Sequence, residues 1–550
     1  MLNDLESKLQ SLLERNITSV SELERWLLEE LHVNAEIEEE ITSSLIAMYR
    51  DTNDRNIRDL HMYNQNTIQP LLKRYNAKFD QKFRECSFSN LLDDQKYGFM
   101  KKARVVKSKM FNEKNLALSI KEQELITKYR EIMSNISINW EGEQKTYAYV
   151  KAKLDNPNRA IREKAWYAIC EARSAVKIEI EIDCIMNELV QLRNEIALHA
   201  GFNNYSEYAF KQKNRDYSIK ECYKLHESIE KYVVPIWEQL GSLSKKNLGV
   251  KRYRPWDLTP CNLPKAPFQN VIDLLDGVEE MFRTTDLYFY EKFLHIRKAG
   301  FIDVEERENK APGAACFTLP HSKEVFVYSN FSPSFYAINA LIHEVGHAFH
   351  FYKQFNNDSS MQEKYLREEV AELYSLSLEL LVMDKLDIFY KQEDEYKEVQ
   401  RVLLYRALSL LMSSIAGDVF QHWLYTNPIH TPEERDKNYA EICKRYQYSS
   451  VDITGLENEI GASWLESFHY VQFPFYKIEY AIAQIGAMQL FQIYREDPEK
   501  AIAFFKEGAS ADWNLTIQEI YEKTGVTFDF SEERIESTAS VILDLISELK

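Results

Sequence analysis

The hydrophobic pattern of the chain is dominated by amphipathic helical periodicity. Residues 1–130 repeat apolar positions three and four apart, as in the run Leu-Glu-Ser-Lys-Leu-Gln-Ser-Leu-Leu that begins at Leu5. The pattern breaks at Asn139–Gly142 and again at Asp155–Asn158, and it then resumes from about residue 159 to residue 200, before a glycine suited to a helix C-terminus. With only 15 glycines and 14 prolines in 550 residues, the chain is predicted to be mainly α.

One short β pattern interrupts the helices. The apolar runs Ala314–Leu319 and Val325–Tyr328 flank the turn residues Pro320–Lys323, which predicts a β-hairpin with His321 in its turn. The hairpin stands just before the strongest motif of the chain. An exposed edge strand there would pair with an extended peptide, whereas a purely structural hairpin would only support the helix that follows.

Residues 343–347 read His-Glu-Val-Gly-His and lie in a predicted helix, because the preceding residues are apolar and hold no helix breaker. Two positions four apart share one face of a helix, so His343 and His347 can bind one metal ion. Glu344 lies one step round the helix, beside the open coordination position. There it can take a proton from water.

A second glutamate-rich helix is predicted over residues 361–383, and it supplies a third ligand. Glu372 stands 29 positions after His343 among apolar neighbours, where a bare carboxylate is costly to bury and therefore needs a partner. A metal ion would be that partner. Glu379 lies seven residues further on the same face and can orient a ligating histidine. We expect Glu368 and Glu369 to face solvent.

Other metalloprotease families that contain this motif agree less well with the sequence. A metzincin would continue with glycine at position 350 and histidine at position 353, but this chain has His350 and Lys353. The third ligand is therefore not a nearby histidine. We expect His350 to be a packed or capping residue, because a fourth protein ligand would leave no place for water. The set predicts one zinc ion per chain, bound by two histidines and Glu372.

These residues resemble peptidase family M3, the zinc oligopeptidases, and most closely its oligoendopeptidase F and Pz-peptidase-like branch. The resemblance is carried by three blocks in this order: Leu341–His350, the pattern Glu372-x-x-Ser375-x-x-x-Glu379, and Phe468–Gly486. Two upstream stretches, Ile138–Glu143 and Lys310–Phe317, match less specifically. The similarity extends from about residue 135 to residue 540. Lys477 departs from the pattern, since many relatives are expected to have an apolar residue there.

The resemblance implies a two-lobed helical fold whose halves enclose a central channel, with the hairpin beside the metal helix. It also implies that His469, Tyr476 and Tyr480 lie in the segment that stabilises the oxyanion formed during amide hydrolysis. The two tyrosines are four apart, so a helix would place their hydroxyls on one face. A core role is the alternative for each tyrosine, because the chain has 33 of them.

Charge and cysteine usage restrict the partners and the compartment. The net charge of −18 argues against nucleic acid or an anionic membrane surface as a partner. The N-terminal residues lack a secretory pattern, and no uninterrupted apolar run approaches the length of a membrane span. The seven cysteines are scattered, without a Cys-x-x-Cys pair. Free thiols in the reducing cytoplasm are therefore expected.

The sequence thus predicts a zinc endopeptidase that hydrolyses internal bonds of short peptides, with Glu344 as general base. We expect a helical N-terminal region at 1–150 and a catalytic region at 151–550 whose lobes are not contiguous in sequence. An M32-type helical carboxypeptidase pairs the same motif with a downstream glutamate, but its His-Glu-Ser-Gln-Ser block is missing. A non-catalytic peptide-binding protein would not need a general base. The oligomeric state stays open.

Overall fold

Helices dominate the structure, as the composition predicted. A computed structural model describes residues 2–179, 182–258, 264–331, 333–355 and 367–548. The helices of the first half are α1 Leu2–Glu14, α2 Val20–Arg50, α3 Arg55–Tyr63, α4 Gln69–Glu85, α5 Asp94–Met110, α6 Lys114–Ser134, α7 Tyr147–Lys151, α8 Arg159–Glu179, α9 Ile182–His199, α10 Tyr205–Gln212, α11 Ile219–Tyr232 and α12 Val234–Leu248.

The second half of the chain is also mostly helical. Its helices are α13 Val271–Thr285, α14 Leu287–Ala299, α15 Phe335–Phe355, α16 Glu368–Leu381, α17 Glu393–Thr426, α18 Pro432–Arg445, α19 Glu457–Gly461, α20 Phe468–Gln472, α21 Lys477–Glu496, α22 Pro498–Ala509, α23 Ile517–Lys523 and α24 Glu532–Glu548. The helix expected between residues 159 and 200 is described as α8 and α9, and residues 180–181 between them lie outside the described part.

Two small sheets accompany the helices. The first is an antiparallel hairpin of β1 (Ser137–Trp140) and β2 (Glu143–Thr146), where the sequence indicated only a break between helices. The second contains β3 (Ile302–Asp303), β4 (Ala315–Leu319) and β5 (Glu324–Tyr328) in the order β3-β5-β4. Strands β4 and β5 are antiparallel, which confirms the predicted hairpin, and β3 adds to it in parallel.

The chain divides into two compact units, each assembled from three segments. Unit 1 comprises Met1–Phe111, Lys265–Lys391 and Gly486–Phe528, and unit 2 comprises Asn112–Pro264, Gln392–Ile485 and Asp529–Lys550. Helix α21 begins in unit 2 and ends in unit 1. The helices and strands that carry the metal motif, from β3 to α16, all belong to unit 1.

Among the described residues of unit 1, two apolar clusters support the N-terminal helices and the β-hairpin. Helices α1, α2, α4 and α5 bury a core around Trp26 and Phe79, whose rings meet edge to face. A second cluster joins Ile46 of α2 to Leu319 and Phe326 of the β-hairpin. Both strands of the hairpin also pack against α15, the helix that follows it.

Helix α17 is the long apolar helix of unit 2. It runs for 34 residues, and its most apolar 18-residue window has a mean hydropathy of 1.4, enough by length and composition to cross a membrane. The helix is not an uninterrupted apolar run, because it contains Arg406 and Asp418. Within the described residues it is the one such helix, and 67% of the window is buried inside the protein. That burial is typical of the core helix of a globular protein, against which α9, α10, α11, α18 and α24 pack.

Candidate metal centre

Helices α15 and α16 lie against each other at the metal motif. A β-carbon added to Gly346 would lie 2.6 Å from the Cα of Ser375 and 3.0 Å from the carbonyl oxygen of Tyr374. Only glycine permits this approach of two helix backbones, because every other residue would place a side-chain atom inside the facing helix. The close approach brings Glu372 on α16 to the two histidines on α15.

The three predicted ligands converge on one point. The Nε2 atoms of His343 and His347 lie 3.4 Å and 3.7 Å from Oε2 of Glu372, and all three ligand atoms lie within 4.8 Å of one another. Two ligand atoms on one tetrahedral zinc ion are separated by about 3.4 Å. The described part of the chain holds no second cluster of this kind. The donor set and its spacing therefore fit a zinc site.

Hydrogen bonds fix the orientation of the ligands. The Nδ1 of His343 donates to Oε1 of Glu379 over 2.7 Å, and this contact orients the ring so that Nε2 faces Glu372. Asn339 donates to the other oxygen of Glu379 over 2.8 Å, and Ser375 Oγ donates to Oε2 of Glu372 over 3.0 Å. The expected contact of Glu379 with a histidine is thus present, and each carboxylate is held by a neutral donor.

The two histidines differ in their protonation. Burial disfavours a charge on His343, but its hydrogen bonds to Glu372 and Glu379 outweigh that effect and raise its pKa well above the ordinary value. Burial lowers the pKa of His347 to about 4, which leaves its imidazole neutral at physiological pH. Since a metal ion binds the unprotonated ring, His343 must release its proton when the metal enters.

Glu344 is buried on the same helix, beside the ligands. Burial raises the pKa of its carboxyl group to about 7, although the neighbouring His343 favours the charged form. The backbone N–H of Cys316 on β4 donates to this carboxylate. The hairpin therefore positions the glutamate, and a carboxyl group with a pKa near neutrality suits proton transfer at physiological pH. Burial also raises the pKa of the Cys316 thiol, in agreement with a packing role for that side chain.

One expectation for α16 was wrong. Glu369 was expected to face solvent, yet it is only 2% exposed. Helix α16 is covered on several sides, and on one of them Tyr521 of α23 donates to the carbonyl of Glu369 over 3.0 Å. The helix had been predicted over residues 361–383, of which 361–366 lie outside the described residues. His350 is buried against the ring of Tyr374, as a packed residue should be.

The three predicted oxyanion donors form one aromatic cluster in unit 2. His469 lies on α20, Tyr476 directly precedes α21, and Tyr480 occupies the first turn of that helix. The His469 ring centre lies 5.7 Å from that of Tyr476 and 5.6 Å from that of Tyr480, and the two tyrosine rings are 5.1 Å apart. Phe475 has a positive φ of 59°, which turns the chain sharply into α21.

Sequence reasoning assigned no role to three residues that shape the metal centre. Asn339 precedes His343 by four positions and so shares its helix face, a spacing that could have identified it. Ser375 follows Glu372 by three positions on α16 and holds its carboxylate. The role of Gly346 could not be predicted from the sequence, because a glycine within a helix indicates only a low helix propensity.

Gly346→Ala is expected to lower the free energy of unfolding by about 1–3 kcal/mol, because the new methyl group collides with backbone that cannot move aside. The collision should also push α15 and α16 apart. This movement should draw Glu372 away from the histidines and weaken zinc binding. Thermal unfolding and zinc titration measure the two effects. Gly98→Ala in α5 is the matched control, since its methyl group meets only ordinary contacts at 3.8 Å or more. Equal behaviour of the two variants would contradict the packing argument.

Comparison with known proteins agrees with this geometry. Residues 152–536 match the model of peptidase family M3. No curated protein is similar enough to this chain to count as a match. Among solved structures, Pz peptidase A with an inhibitor has a TM-score of 0.93 at 23% identity, over 100% of this chain and 97% of that one.

Two further structures have the same fold. A putative oligoendopeptidase F has a TM-score of 0.91 at 22% identity, over 100% of this chain and 97% of its own. A putative oligoendopeptidase F from Bacillus anthracis has a TM-score of 0.87 at 22% identity, over 100% and 96%. At these identities the structures establish the shared fold, and the family match establishes the rest: the chain belongs to peptidase family M3 and is a metallo-oligopeptidase.

Proposed function

We propose that this enzyme is a zinc endopeptidase that hydrolyses internal bonds of short peptides. The observation that carries the proposal is the arrangement of His343, His347 and Glu372, whose ligand atoms have the spacing of ligands on one tetrahedral zinc ion. Three protein ligands leave one coordination position open, which is the pattern of catalytic zinc sites. One zinc ion per chain follows from the single cluster in the described residues.

Glu344 is the proposed general base. When bound at these ligands, zinc supplies Lewis-acid chemistry that polarises a peptide carbonyl and acidifies water. Glu344 takes the proton of the attacking water and afterwards delivers it to the leaving amine. Its burial and the hydrogen bond from Cys316 hold the carboxylate in place for both transfers.

Strand β4 is the proposed guide for the substrate backbone. It pairs with β5 on one side and is the outer strand of its sheet. An extended peptide that pairs with this edge would run beside Cys316, whose N–H already contacts Glu344. The carbonyl to be cleaved would thereby lie close to the general base. Backbone pairing is independent of side chains, so it suits an enzyme that accepts many short sequences.

The three clustered side chains of unit 2 are the proposed oxyanion donors. Tyr480, Tyr476 and His469 each carry a hydrogen-bond donor, and their rings lie within 6 Å of one another. Preorganised donors act most strongly where negative charge develops in the transition state. The proposal is supported by this clustering and by the likeness of the segment to the corresponding block of family M3.

The reaction is tested by mass spectrometry of products from a mixed pool of short peptides, with and without a metal chelator. Internal cuts that disappear with the chelator and return with zinc support the endopeptidase. Stepwise loss of C-terminal residues would instead indicate a carboxypeptidase, and intact peptides in the presence of zinc would indicate a binding protein. A folded protein substrate in the same pool should stay uncut, because the proposed substrates are short.

Tyr480→Phe is expected to lower kcat by about 10²-fold or more while KM changes little, because the hydroxyl acts only in the transition state. Stability should hardly change, since the substitution removes one hydroxyl and little volume. Steady-state kinetics and thermal unfolding on the same preparation measure both. Tyr129→Phe is the matched control. Its buried hydroxyl donates to the carbonyl of Leu465 over 2.7 Å, so its loss should cost stability and leave kcat unchanged. An unchanged kcat in Tyr480→Phe would remove Tyr480 from the site.

We place the enzyme in a reducing compartment, in agreement with the cytoplasmic location expected from the sequence. None of the six cysteines in the described part of the chain forms a disulfide with another of them. Three of them, Cys170, Cys222 and Cys443, are buried, where a thiol behaves as a small apolar side chain.

A further inference from the structure

Lys477 is the first residue of α21 and lies between the two proposed donor tyrosines in sequence. Its Nζ lies 5.8 Å from the centre of the Tyr480 ring. The side chain is half-buried. Within the described residues its Nζ forms no ion pair with an acidic side chain, and burial alone shifts its pKa. Lys213 makes a useful contrast. It lies over the ring of Tyr476 and pairs with Glu479 over 3.0 Å.

The packing around Lys477 keeps a place for its aliphatic stem. Gly417 lies within the 34-residue helix α17, where glycine is the least favourable residue apart from proline. A β-carbon added there would lie 2.9 Å from Cγ of Lys477 and 2.9 Å from the hydroxyl of Tyr470. The absence of a side chain at position 417 thus makes room for the stem of the lysine, whose ammonium group lies beside the Tyr480 ring.

The electrostatic environment leaves this ammonium group in need of an anion. Burial lowers the pKa of Lys477 to about 8, so the group stays mostly charged at neutral pH. A desolvated cation without a counter-ion is unfavourable. Lys477 also lies in the first turn of α21, where the positive end of the helix dipole further disfavours its charge. A bound carboxylate would relieve both effects.

We propose that Lys477 binds a carboxylate group of the peptide substrate and thereby sets the charge preference of the enzyme. The carboxylate belongs either to an acidic side chain or to the free C-terminus of a short peptide. This inference rests on the proposed function, because the lysine lies among the residues assigned to oxyanion stabilisation.

Binding is measured first in zinc-loaded Glu344→Gln protein, so that the result does not depend on hydrolysis. Fluorescence anisotropy is recorded with three matched labelled peptides: one with internal glutamine and an amidated C-terminus, one with internal glutamate and an amidated C-terminus, and one with internal glutamine and a free C-terminus. At least one carboxylate peptide should bind about tenfold tighter than the neutral one, the effect of one charge-assisted hydrogen bond. The peptide that shows the preference identifies the source of the carboxylate.

Lys477→Met in the same background is expected to reduce this preference to within about twofold, and Lys477→Arg should retain it. Lys437→Met on α18 is the matched control, because Lys437 is exposed and its loss changes the net charge equally. The ratio of kcat/KM for the charged and neutral peptides is then measured in the active enzyme with the same substitutions at position 477.

Three results would overturn the inference: equal binding of all three peptides, an undiminished preference in Lys477→Met, or an equal loss of affinity for charged and neutral peptides. The third would mean that the lysine acts only through packing or through Tyr480. The proposed function can fail separately. If the zinc-loaded enzyme with Glu344 intact cleaves none of the peptides, the proposed function is refuted. A charge preference in binding that depends on Lys477 would then still show that this lysine binds a peptide carboxylate.

Discussion

Glu344→Gln is expected to retain zinc and fold while lowering kcat by about 10²–10⁴-fold, the contribution typical of general acid–base catalysis. The amide has nearly the volume of the carboxylic acid, so the buried position between the ligands and β4 should stay filled. The glutamine amide, however, cannot accept the proton of the attacking water. Zinc content, thermal unfolding and steady-state turnover on one preparation measure the three properties together.

Glu379→Gln is the matched comparison for that variant, because it removes a charge from the same site without touching the proposed proton path. Its carboxylate contacts Nδ1 of His343 over 2.7 Å, so the amide should weaken zinc binding by about 10–100-fold. At saturating zinc, turnover should largely recover. Near-normal turnover in Glu344→Gln would show that another group takes the proton, and a failure of zinc to restore Glu379→Gln would indicate a role beyond holding the histidine.

The sequence predicted those parts of the fold that depend on local spacing. His343 and His347 are four positions apart, so any helix places them on one face, independently of the tertiary packing. The apolar residues on either side of the turn Pro320–Lys323 likewise predict a hairpin. Glu372 was found for a different reason. A carboxylate in an apolar helix needs a partner, and the structure places it 3.4 Å from the nearer histidine.

The remaining features depend on tertiary packing, which local patterns do not report. Glu369 was expected to be exposed because it is a charged residue, but it is buried and Tyr521 of α23 contacts its backbone. The β1–β2 hairpin turns at Glu141 and Gly142, both with positive φ, and its strands are too short for a clear alternating pattern. Strand β3 consists of two residues and exists only because β5 pairs with it. The boundary placed at residue 150 and the central channel stay predictions.

Gly346 shows the same limit at the metal centre. In the sequence it is one residue of a motif, and its role becomes visible only when Ser375 is found 2.6 Å from the position of its missing β-carbon. The two histidines share one helix, but the third ligand comes from another, so the geometry of the site depends on how closely α15 and α16 approach. The three proposed ligands could therefore be named from the sequence, whereas the packing that brings them together could not.

His347→Ala is expected to abolish stoichiometric zinc binding, and with it peptidase activity. The wild-type protein should carry about one zinc ion per chain, since three protein ligands and one open position make a complete catalytic site. The alanine variant keeps only one histidine and Glu372, and the helix bearing them should still form because alanine is the best helix former. Metal analysis after dialysis against a weak chelator gives the occupancy, and circular dichroism reports the helical content.

His350→Ala provides the control three residues further along the same helix. That histidine is buried against Tyr374 but lies outside the ligand cluster, so its loss should lower thermal stability and leave zinc occupancy near one per chain. Zinc should also raise the unfolding temperature of the wild type and of His350→Ala, because a ligand that binds only the folded state stabilises it, and it should leave His347→Ala unchanged. Full occupancy in His347→Ala would remove this histidine from the ligand set and, with it, the zinc site built on α15 and α16.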